Sequence, residues 1–456
     1  MTPSPDRRAG WFVAVDPYCR GRTLKAMHKW SETPVVTCFI RHHSEVLLLR
    51  RSAKVGSYAG KWGTVAGHAD GNPDAAARRE IREEVGLTEG VTLVRRGEAF
   101  PVDDAELETR WVVHPYLFDA AHRSITLNGG AVEAEWVMPT EILRRDTVPQ
   151  LWTSYEHVAP TVESVAADTE HGSAYIAARA AEVLRDVAGQ LRGRGAPDGS
   201  GRLRETARQL FDARPSMAAL GNRIHRIMNA AAPAFAPATI ESEAHHVIQE
   251  AHAAQMATVR QAAEQIAGQH ILTLSRSSTV LDAMRHADPS PSVIVAESRP
   301  DCEGVYTAEA LADHGAAATL CTDAAIPAVI DQEPIDAVIV GADTVLASGD
   351  VVNKTGTRSA ALAAQEAGIP VLVVASTDKI SPDTAPHREE GPPAAVYGGT
   401  ADIRVLNPTF DVTPAAWVAG WITEQGTCSR DEVGRWAATH GGWRAWMRAS
   451  PDNTSS

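Results

Sequence analysis

Arg79–Leu87 reads REIREEVGL, a helix-forming run in which Glu80, Glu83 and Glu84 fall within one turn of each other. At about 100° per residue, the i, i+3 and i+4 positions share a helical face, so the spacing predicts three converging carboxylates. Like charges that close repel unless a cation sits among them. Hard divalent ions such as Mg2+ take oxygen ligands and usually arrive with substrate phosphates. A solvated acidic helix face would carry the same residues, so the flanking sequence has to decide between the two readings.

Those flanks have the elements that a metal-diphosphate site needs. Val35–Ile40 and Glu45–Arg50 are β-branched or leucine-rich runs separated by His42-His43-Ser44, which predicts a hairpin. Trp62-Gly63 precedes a glycine-containing loop, Asn72-Pro73-Asp74 supplies a helix start, Ala75–Ala77 favour helix, and Gly86 is placed to close it. Arg110–Phe118 and Val132–Val137 predict further strands. A strand, loop, helix order lets loop backbone and helix carboxylates face a common ion.

The segment Gly67–Leu87, GHADGNPDAAARREIREEVGL, resembles the Nudix box of hydrolases that cleave nucleoside diphosphates linked to another moiety. That box runs Gly, five residues, Glu, seven residues, then Arg-Glu-apolar-x-Glu-Glu-x-Gly-apolar, and its second half matches at every position. Counting back from Arg79, the pattern's Glu falls on Gly71 and its Gly on Val65. The equivalent glycine, Gly67, comes two residues later, so the expected loop is two residues shorter than usual. The resemblance implies that Arg79 orients a carboxylate and that Glu80, Glu83 and Glu84 hold Mg2+, or Mn2+ in its place. It also implies Glu80 as general base and the carbonyl of Gly67 as a further metal ligand. The cation would neutralise the diphosphate and lower the pKa of the water that attacks phosphorus, with no covalent intermediate. Some members of that family draw another Glu from a later strand or loop. Glu98, Glu106, Glu108 and Glu135 are available here, and each reads equally as a surface residue.

Length and composition bound the rest. A chain of 456 residues suggests two or three domains. Its hydrophobic content of 44% is that of a globular protein, and no run of 18 apolar residues predicts a membrane span. The start MTPSPDRRAGW lacks a signal pattern, so the expectation is a cytoplasmic protein. Five cysteines, at 19, 38, 302, 321 and 428, form neither a CxxC site nor an even disulfide framework, which argues against structural zinc. With 43 basic against 57 acidic residues, the net charge of −14 argues against strong nucleic-acid binding through a basic surface.

A second pattern begins after residue 150. Leu151–Leu191 is helical in periodicity, and Gly193–Gly201, GRGAPDGSG, predicts a loop flanked by charged helices. From Gln269 onward, HILTL, PSVIVAE, GAAATLCT, AVIVGAD and PVLVVAS alternate with helical stretches. Continuous apolar runs alternating with helices predict a doubly wound parallel sheet, whose ligands bind beyond the carboxyl ends of the strands.

The strand ends carry a second resemblance. LTLSRSSTV (272–280), VAESRPDCEG (295–304), VIVGADTVLASGDVVNKTGT (338–357), VASTDKI (374–380) and the helix start ARPSMAALGNRIHRIM (213–228) occur in this chain. They resemble the family uniting the alpha, beta and delta subunits of eukaryotic initiation factor 2B with methylthioribose-1-phosphate and ribose-1,5-bisphosphate isomerases. The similarity runs from about Gly172 to Gly426 and places the Gly-rich loop inside a helical subdomain.

Asp343 ends an apolar strand, where an acid serves either proton transfer or a helix N-cap. The resemblance implies a catalytic role for it. Asn353 and Lys354 match residues that bind the sugar phosphate, and Arg214, Arg299 and Lys379 fall at basic positions suited to phosphate. Ser275 stands where the isomerases carry a cysteine, and His171-Gly172-Ser173 stands where they carry an Arg-Gly-Ala phosphate loop. A serine hydroxyl is a far weaker acid and nucleophile than a tuned thiol, so Ser275 is expected to bind substrate and not to turn it over. Cys302, in the neighbouring loop, reads as a packed cysteine.

After Gly426, DEVGRWAATHGGWRAWMRA predicts a short helix whose tryptophans pack onto a neighbour, and PDNTSS predicts disorder. The expected fold is α/β. It comprises an N-terminal extension (1–33), a Nudix α/β/α sandwich with mixed sheet (34–150), a helical subdomain (151–265), a Rossmann-like parallel-sheet domain (266–426) and a C-terminal tail (427–456). The expected function is Mg2+-dependent hydrolysis of a nucleotide or sugar diphosphate, with a second domain that binds a phosphosugar or nucleotide. Expected partners are a nucleoside diphosphate derivative, a phosphosugar and further copies of the chain in a homo-oligomer, with no membrane. Two rival readings are a ribose-phosphate isomerase of the ribose-1,5-bisphosphate type and a non-catalytic, translation-related regulatory protein.

Overall fold

The computed structural model describes residues 30–194 and 199–448. The expectations for the stretch before residue 30, for Cys19 and for PDNTSS lie outside the described residues.

The hairpin forms where the polar break falls. Strand β1 (Ser31–His42) turns into β2 (Glu45–Arg51) through His43 and Ser44, both in the left-handed region at φ 47° and 72°. Next come β3 (Trp62–Gly63), β4 (Val65–His68), helix α1 (Pro73–Val85), β5 (Val91–Arg96), β6 (Phe100–Asp104), β7 (Thr109–Ala120) and β8 (Ala131–Val137). The path β3-β2-β1-β7-β5 forms one sheet, with β4 beside β1, β6 on β7 and β8 on β2. β1 and β7 run parallel from Ser31 opposite Thr109 to Arg41 opposite Asp119, while the other pairs are antiparallel. The sheet is therefore mixed.

The alternation of β1 decides which face does what. Val36, Cys38 and Ile40 pack with Ile81 and Val85 of α1, whereas Phe39 packs on the opposite side with Leu151 and Tyr155. Helix α1 is terminated at both ends by the residues the sequence supplied. Asn72 accepts the backbone N–H of Asp74 at 2.9 Å, and Gly86 is left-handed at φ 71°.

Helices α2 (Leu151–Glu156), α3 (Val162–Ala167), α4 (Ser173–Arg194), α5 (Gly199–Ala213), α6 (Ala218–Ala231) and α7 (Pro237–Ile266) follow. The GRGAPDGSG loop is shorter than expected. α4 continues through Gly193 and α5 already begins at Gly199, while residues 195–198 are outside the described residues. Leu184, Ile224 and Ile240 centre this helical core.

The remaining elements are β9 (His270–Leu274), α8 (Ser278–His286), β10 (Ser292–Ala296), α9 (Glu303–Asp313), β11 (Ala318–Cys321), α10 (Ile326–Gln332), β12 (Ala337–Gly341), β13 (Thr344–Val345), β14 (Val351–Lys354), α11 (Thr357–Ala367), β15 (Val371–Val374), α12 (Pro393–Val396), β16 (Phe410–Thr413), β17 (Gly420–Thr423), β18 (Gly426–Cys428) and α13 (Arg430–Trp443). The second sheet has the order β11-β10-β9-β12-β15-β17-β18 and is parallel up to the final β17–β18 hairpin. β13, β14 and β16 form a small antiparallel sheet that the apolar periodicity did not predict. Beyond α13, Trp446 is 1% exposed in the helical core and donates Nε1–H to His225 Nδ1 at 3.0 Å.

Polar contacts join the N-terminal part to the helices. Arg185 Nη1 donates to Ser44 O at 2.8 Å, Arg41 lies 3.3 Å from Glu182, and Arg144 Nη2 donates to Glu241 at 2.5 and 2.6 Å. Among the described residues, no helix is long and apolar enough to cross a membrane.

Candidate functional site

Helix α1 presents its box residues unequally. Ala76, Ala77, Ile81 and Val85 anchor the apolar side, and the helix turn above them carries Glu80 and Glu84 toward β4. Arg79 Nη2 donates to Glu80 Oε1 at 2.8 Å and to His68 O at 3.0 Å, so it fixes the Glu80 carboxylate against the end of β4. Gly67 lets the Glu80 carboxylate lie against β4, because a Cβ at that position would overlap the carboxylate and push it away. Glu84 accepts a hydrogen bond from the Ala66 backbone.

Electrostatics single out Glu84. Burial, and then the neighbouring Glu80 carboxylate, push its pKa from the ordinary 4.5 up to about 7, against the opposing Ala66 hydrogen bond and Arg51. The thiol of Cys38, on the same face of β1, is pushed well up by burial and by Glu84 and Glu80. Arg51, on β2, was missed by the sequence reading, because nothing in the box points to a residue 33 positions before Glu84. Glu83 is exposed, and the described residues hold no cluster of three His, Cys, Asp or Glu side chains suited to a metal. The structure thus brings together Glu80, Glu84, Arg79 and Gly67 and leaves Glu83 at the surface. Two partly buried carboxylates without a full counter-charge fit Mg2+, which commonly takes one or two protein carboxylates and completes its shell with water and phosphate. Of the extra glutamates considered, Glu135 is bound to Arg145 at 2.5 Å, and Glu98, Glu106 and Glu108 are exposed.

A second constellation lies at the carboxyl ends of β9, β10 and β12. Ser275 follows β9 in the left-handed region at φ 66°, and its Oγ–H donates to Glu303 Oε2 at 2.6 Å. Its backbone N–H donates to Ser298 Oγ at 2.7 Å. Lys354 Nζ, from β14, donates to Glu303 Oε1 at 3.1 Å and to Asp301 Oδ2 at 3.2 Å. Burial opposes the charge on Lys354, but Glu303 and Asp301 outweigh it and hold its pKa above the ordinary value. Glu303 thereby links Ser275 to Lys354. The sequence reading did not select it, although the RPDCEG motif contains it.

Asp343 follows β12 and its backbone N–H donates to Val352 O at 3.0 Å, so it opens the β13–β14 turn and does not cap a helix. Burial raises its carboxyl pKa, opposed by Lys379 and by the nearby Ser173 hydroxyl at the start of α4. Burial lowers the pKa of Lys379, opposed by Asp343 and Asp378, and its Nζ donates to Ala342 O at 2.6 Å. Asn353 is buried and donates to Thr357 Oγ1 at 2.9 Å.

Two expected phosphate residues stand apart from this group. Arg299 is exposed and its Nη1 reaches Pro300 O at 3.3 Å, while Arg214 donates to Asp168 O, lies 3.9 Å from Glu389 and lines a separate small cavity with Phe211 and Arg444. Cys302 Sγ lies 3.8 Å from both Pro300 O and Arg299 Nη1.

Comparison with known proteins matches both resemblances to defined stretches. The NUDIX domain model matches residues 32–158, and the model of the Initiation factor 2 subunit family matches residues 169–430. The chain is 32% identical over 292 residues to a ribose 1,5-bisphosphate isomerase of Archaeoglobus fulgidus, covering 59% of this chain and 89% of the relative. It is 32% identical over 254 residues to a methylthioribose-1-phosphate isomerase of Cronobacter sakazakii, covering 49% of this chain and 75% of that one. The solved translation initiation factor eIF-2B of Pyrococcus horikoshii superposes with a TM-score of 0.50 at 29% identity, over 58% of this chain and 94% of that one. With an α/β architecture, a mixed N-terminal sheet and a parallel second sheet, the chain belongs to the Initiation factor 2 subunit family and carries a NUDIX domain ahead of the family region.

Proposed function

We propose that the N-terminal part is a Mg2+-dependent hydrolase of a nucleotide or sugar diphosphate and that the C-terminal part binds a phosphosugar or nucleotide. The observation that carries the first half is the Glu80–Glu84 pair, in which burial beside a second carboxylate holds Glu84 near pKa 7. A bound Mg2+ would neutralise diphosphate charge and acidify a water molecule. Gly67 leaves room for the Glu80 carboxylate, Arg79 fixes its orientation, and Glu80 is the group we assign to take a proton from the attacking water. Glu84 supplies the second carboxylate, and exposed Glu83 is assigned to the rim of the site. The test is release of phosphate monoesters from a diphosphate panel by wild type and by Glu83→Gln and Glu84→Gln. Loss in Glu84→Gln with weaker loss in Glu83→Gln supports the assignment.

For the second half, Lys354, Asn353, Asp343 and Lys379 are the residues we assign to the ligand, with Ser275 and Glu303 beside them. Arg214 and Arg299 are kept as outer phosphate contacts. Isomerisation remains a second reading, favoured by the names of the relatives and by the proton-holding bias of Asp343. Ribose-1,5-bisphosphate distinguishes the two: a rise in melting temperature without conversion supports binding, and conversion abolished in Asp343→Asn supports isomerisation. We also propose domain boundaries near 150 and 265, in keeping with separate apolar cores, and a cytoplasmic homo-oligomer whose mass light scattering would measure.

A further inference from the structure

Between the NUDIX sheet and the helical subdomain lies a cavity of about 100 Å3 whose lining includes none of the residues assigned to either site above. Arg41 of β1, Arg95 of β5, and Tyr175 and Arg179 of α4 line it, and exposed His171 stands at its mouth. Arg41 lies on the face of β1 opposite Cys38, hence on the far side of the sheet from Glu80 and Glu84. None of Ser275, Asp343, Asn353, Lys354 or Lys379 lines it.

Three guanidinium groups share this small volume, and their internal partners do not use all of their donors. Arg41 spends Nε and Nη2 on Asp119 at 2.6 and 2.9 Å. Arg95 gives Nη1 to Ala159 O at 2.7 Å. Glu182, fully buried, serves both Arg41 at 3.3 Å and Arg179 Nη2 at 2.9 Å. Asp168, the acid that lines the cavity, is engaged by His171 Nδ1 at 2.9 Å. That leaves Nε and Nη1 of Arg179 buried with no hydrogen-bond partner among the described residues. A buried donor left unpaired costs free energy that a suitably placed acceptor recovers. The planar guanidinium fork matches the paired oxygens of a phosphate, and a dianion would offset the mutual repulsion of Arg41 and Arg179. Burial, and after it Arg41, hold the pKa of Arg179 below the ordinary arginine value and burial does the same to Arg95, whereas Glu182 and Asp119 outweigh burial and hold that of Arg41 above it.

We propose that this interdomain cavity binds the phosphate group of a small molecule, with Arg179 as its principal donor and Arg41 and Arg95 completing the cationic wall. α4 places the cavity next to the second site. Ser173, its first residue, lies beside Asp343, while Tyr175 and Arg179 lie on the cavity side of the same helix.

The test is thermal denaturation and calorimetry of the full chain in EDTA, titrated with inorganic phosphate against chloride at equal ionic strength, and in parallel with ribose 5-phosphate. The variants are Arg179→Met, Arg95→Met and Lys354→Met, each checked for native circular dichroism before titration. Phosphate should stabilise wild type, should still stabilise Lys354→Met once the contribution of the second site is removed, and should bind roughly tenfold more weakly to both arginine variants. Tighter binding of ribose 5-phosphate than of inorganic phosphate, lost in the arginine variants, supports the site with a phosphate ester as ligand. Equal binding supports it with free phosphate. No phosphate effect on wild type, an unchanged affinity in the folded Arg95→Met and Arg179→Met variants, or loss in Lys354→Met alone would overturn the proposal.

Discussion

Glu84→Gln should stabilise the metal-free protein at pH 8, although it removes a group assigned to the hydrolytic site. The Glu84 carboxyl has a pKa of about 7 in the folded chain against an ordinary 4.5. At about 1.4 kcal/mol per pKa unit, holding it ionised in the fold costs about 3 kcal/mol. The folded value lies above the unfolded one, so the folded state binds more protons between the two. The favourable contribution is therefore complete below pH 4.5 and is lost as pH rises through about 7. A glutamine keeps an oxygen to accept the Ala66 hydrogen bond and carries no charge to bury, so its stability should lack this slope. Urea unfolding followed by tryptophan fluorescence, in EDTA from pH 4.5 to 8, measures both profiles. They should converge at the acidic end and separate by up to about 3 kcal/mol at pH 8, with the variant more stable. Adding Mg2+ at pH 8 should then stabilise wild type more than the variant, because binding to the folded state alone raises stability by mass action. Parallel pH profiles, or a variant less stable than wild type at pH 8 in EDTA, would refute the reasoning.

Gly67→Ala should drive the Glu80 carboxylate off the β4 backbone and lower hydrolysis by roughly tenfold or more, while circular dichroism stays native. Lys354→Met should leave Glu303 and Ser275 paired and weaken phosphosugar binding by roughly tenfold in calorimetry, because a charge-assisted contact is lost. Trp446→Ala should destabilise the helical core by about 3–5 kcal/mol in urea titrations, yet leave the rate of diphosphate cleavage per folded molecule unchanged.

Local signals in the sequence were the most dependable. Asn72, Pro73 and Gly86 bound α1 through hydrogen bonds and backbone angles that depend on their own side chains or the lack of one, so they could be read directly. The five apolar runs became parallel neighbours, and the four inner ones were plain because strands buried on both faces have little polar alternation to confuse them. Helical spacing put Glu80, Glu83 and Glu84 on a common side, but it could not say where the sheet would cover that side. The β4 backbone covers Glu80 and Glu84 and leaves Glu83 exposed. Arg51 and the Glu303 bridge were missed because tertiary folding brings them to their partners. Strands as short as Thr344–Val345 carry too few residues to show a period. The Gly-rich loop was overestimated because glycine lowers helix propensity without forbidding helix, and Gly193 and Gly199 are helical in context.

The most direct test of the central claim is the initial rate of phosphate-monoester release from ADP-ribose, NADH, nucleotide sugars and nucleoside triphosphates, measured with Mg2+ or EDTA. At least one substrate should be cleaved by wild type only with Mg2+, and Glu80→Gln should lower that rate by roughly a hundredfold or more. A wild type inactive across the panel, or cleavage that survives both EDTA and Glu80→Gln, would contradict it.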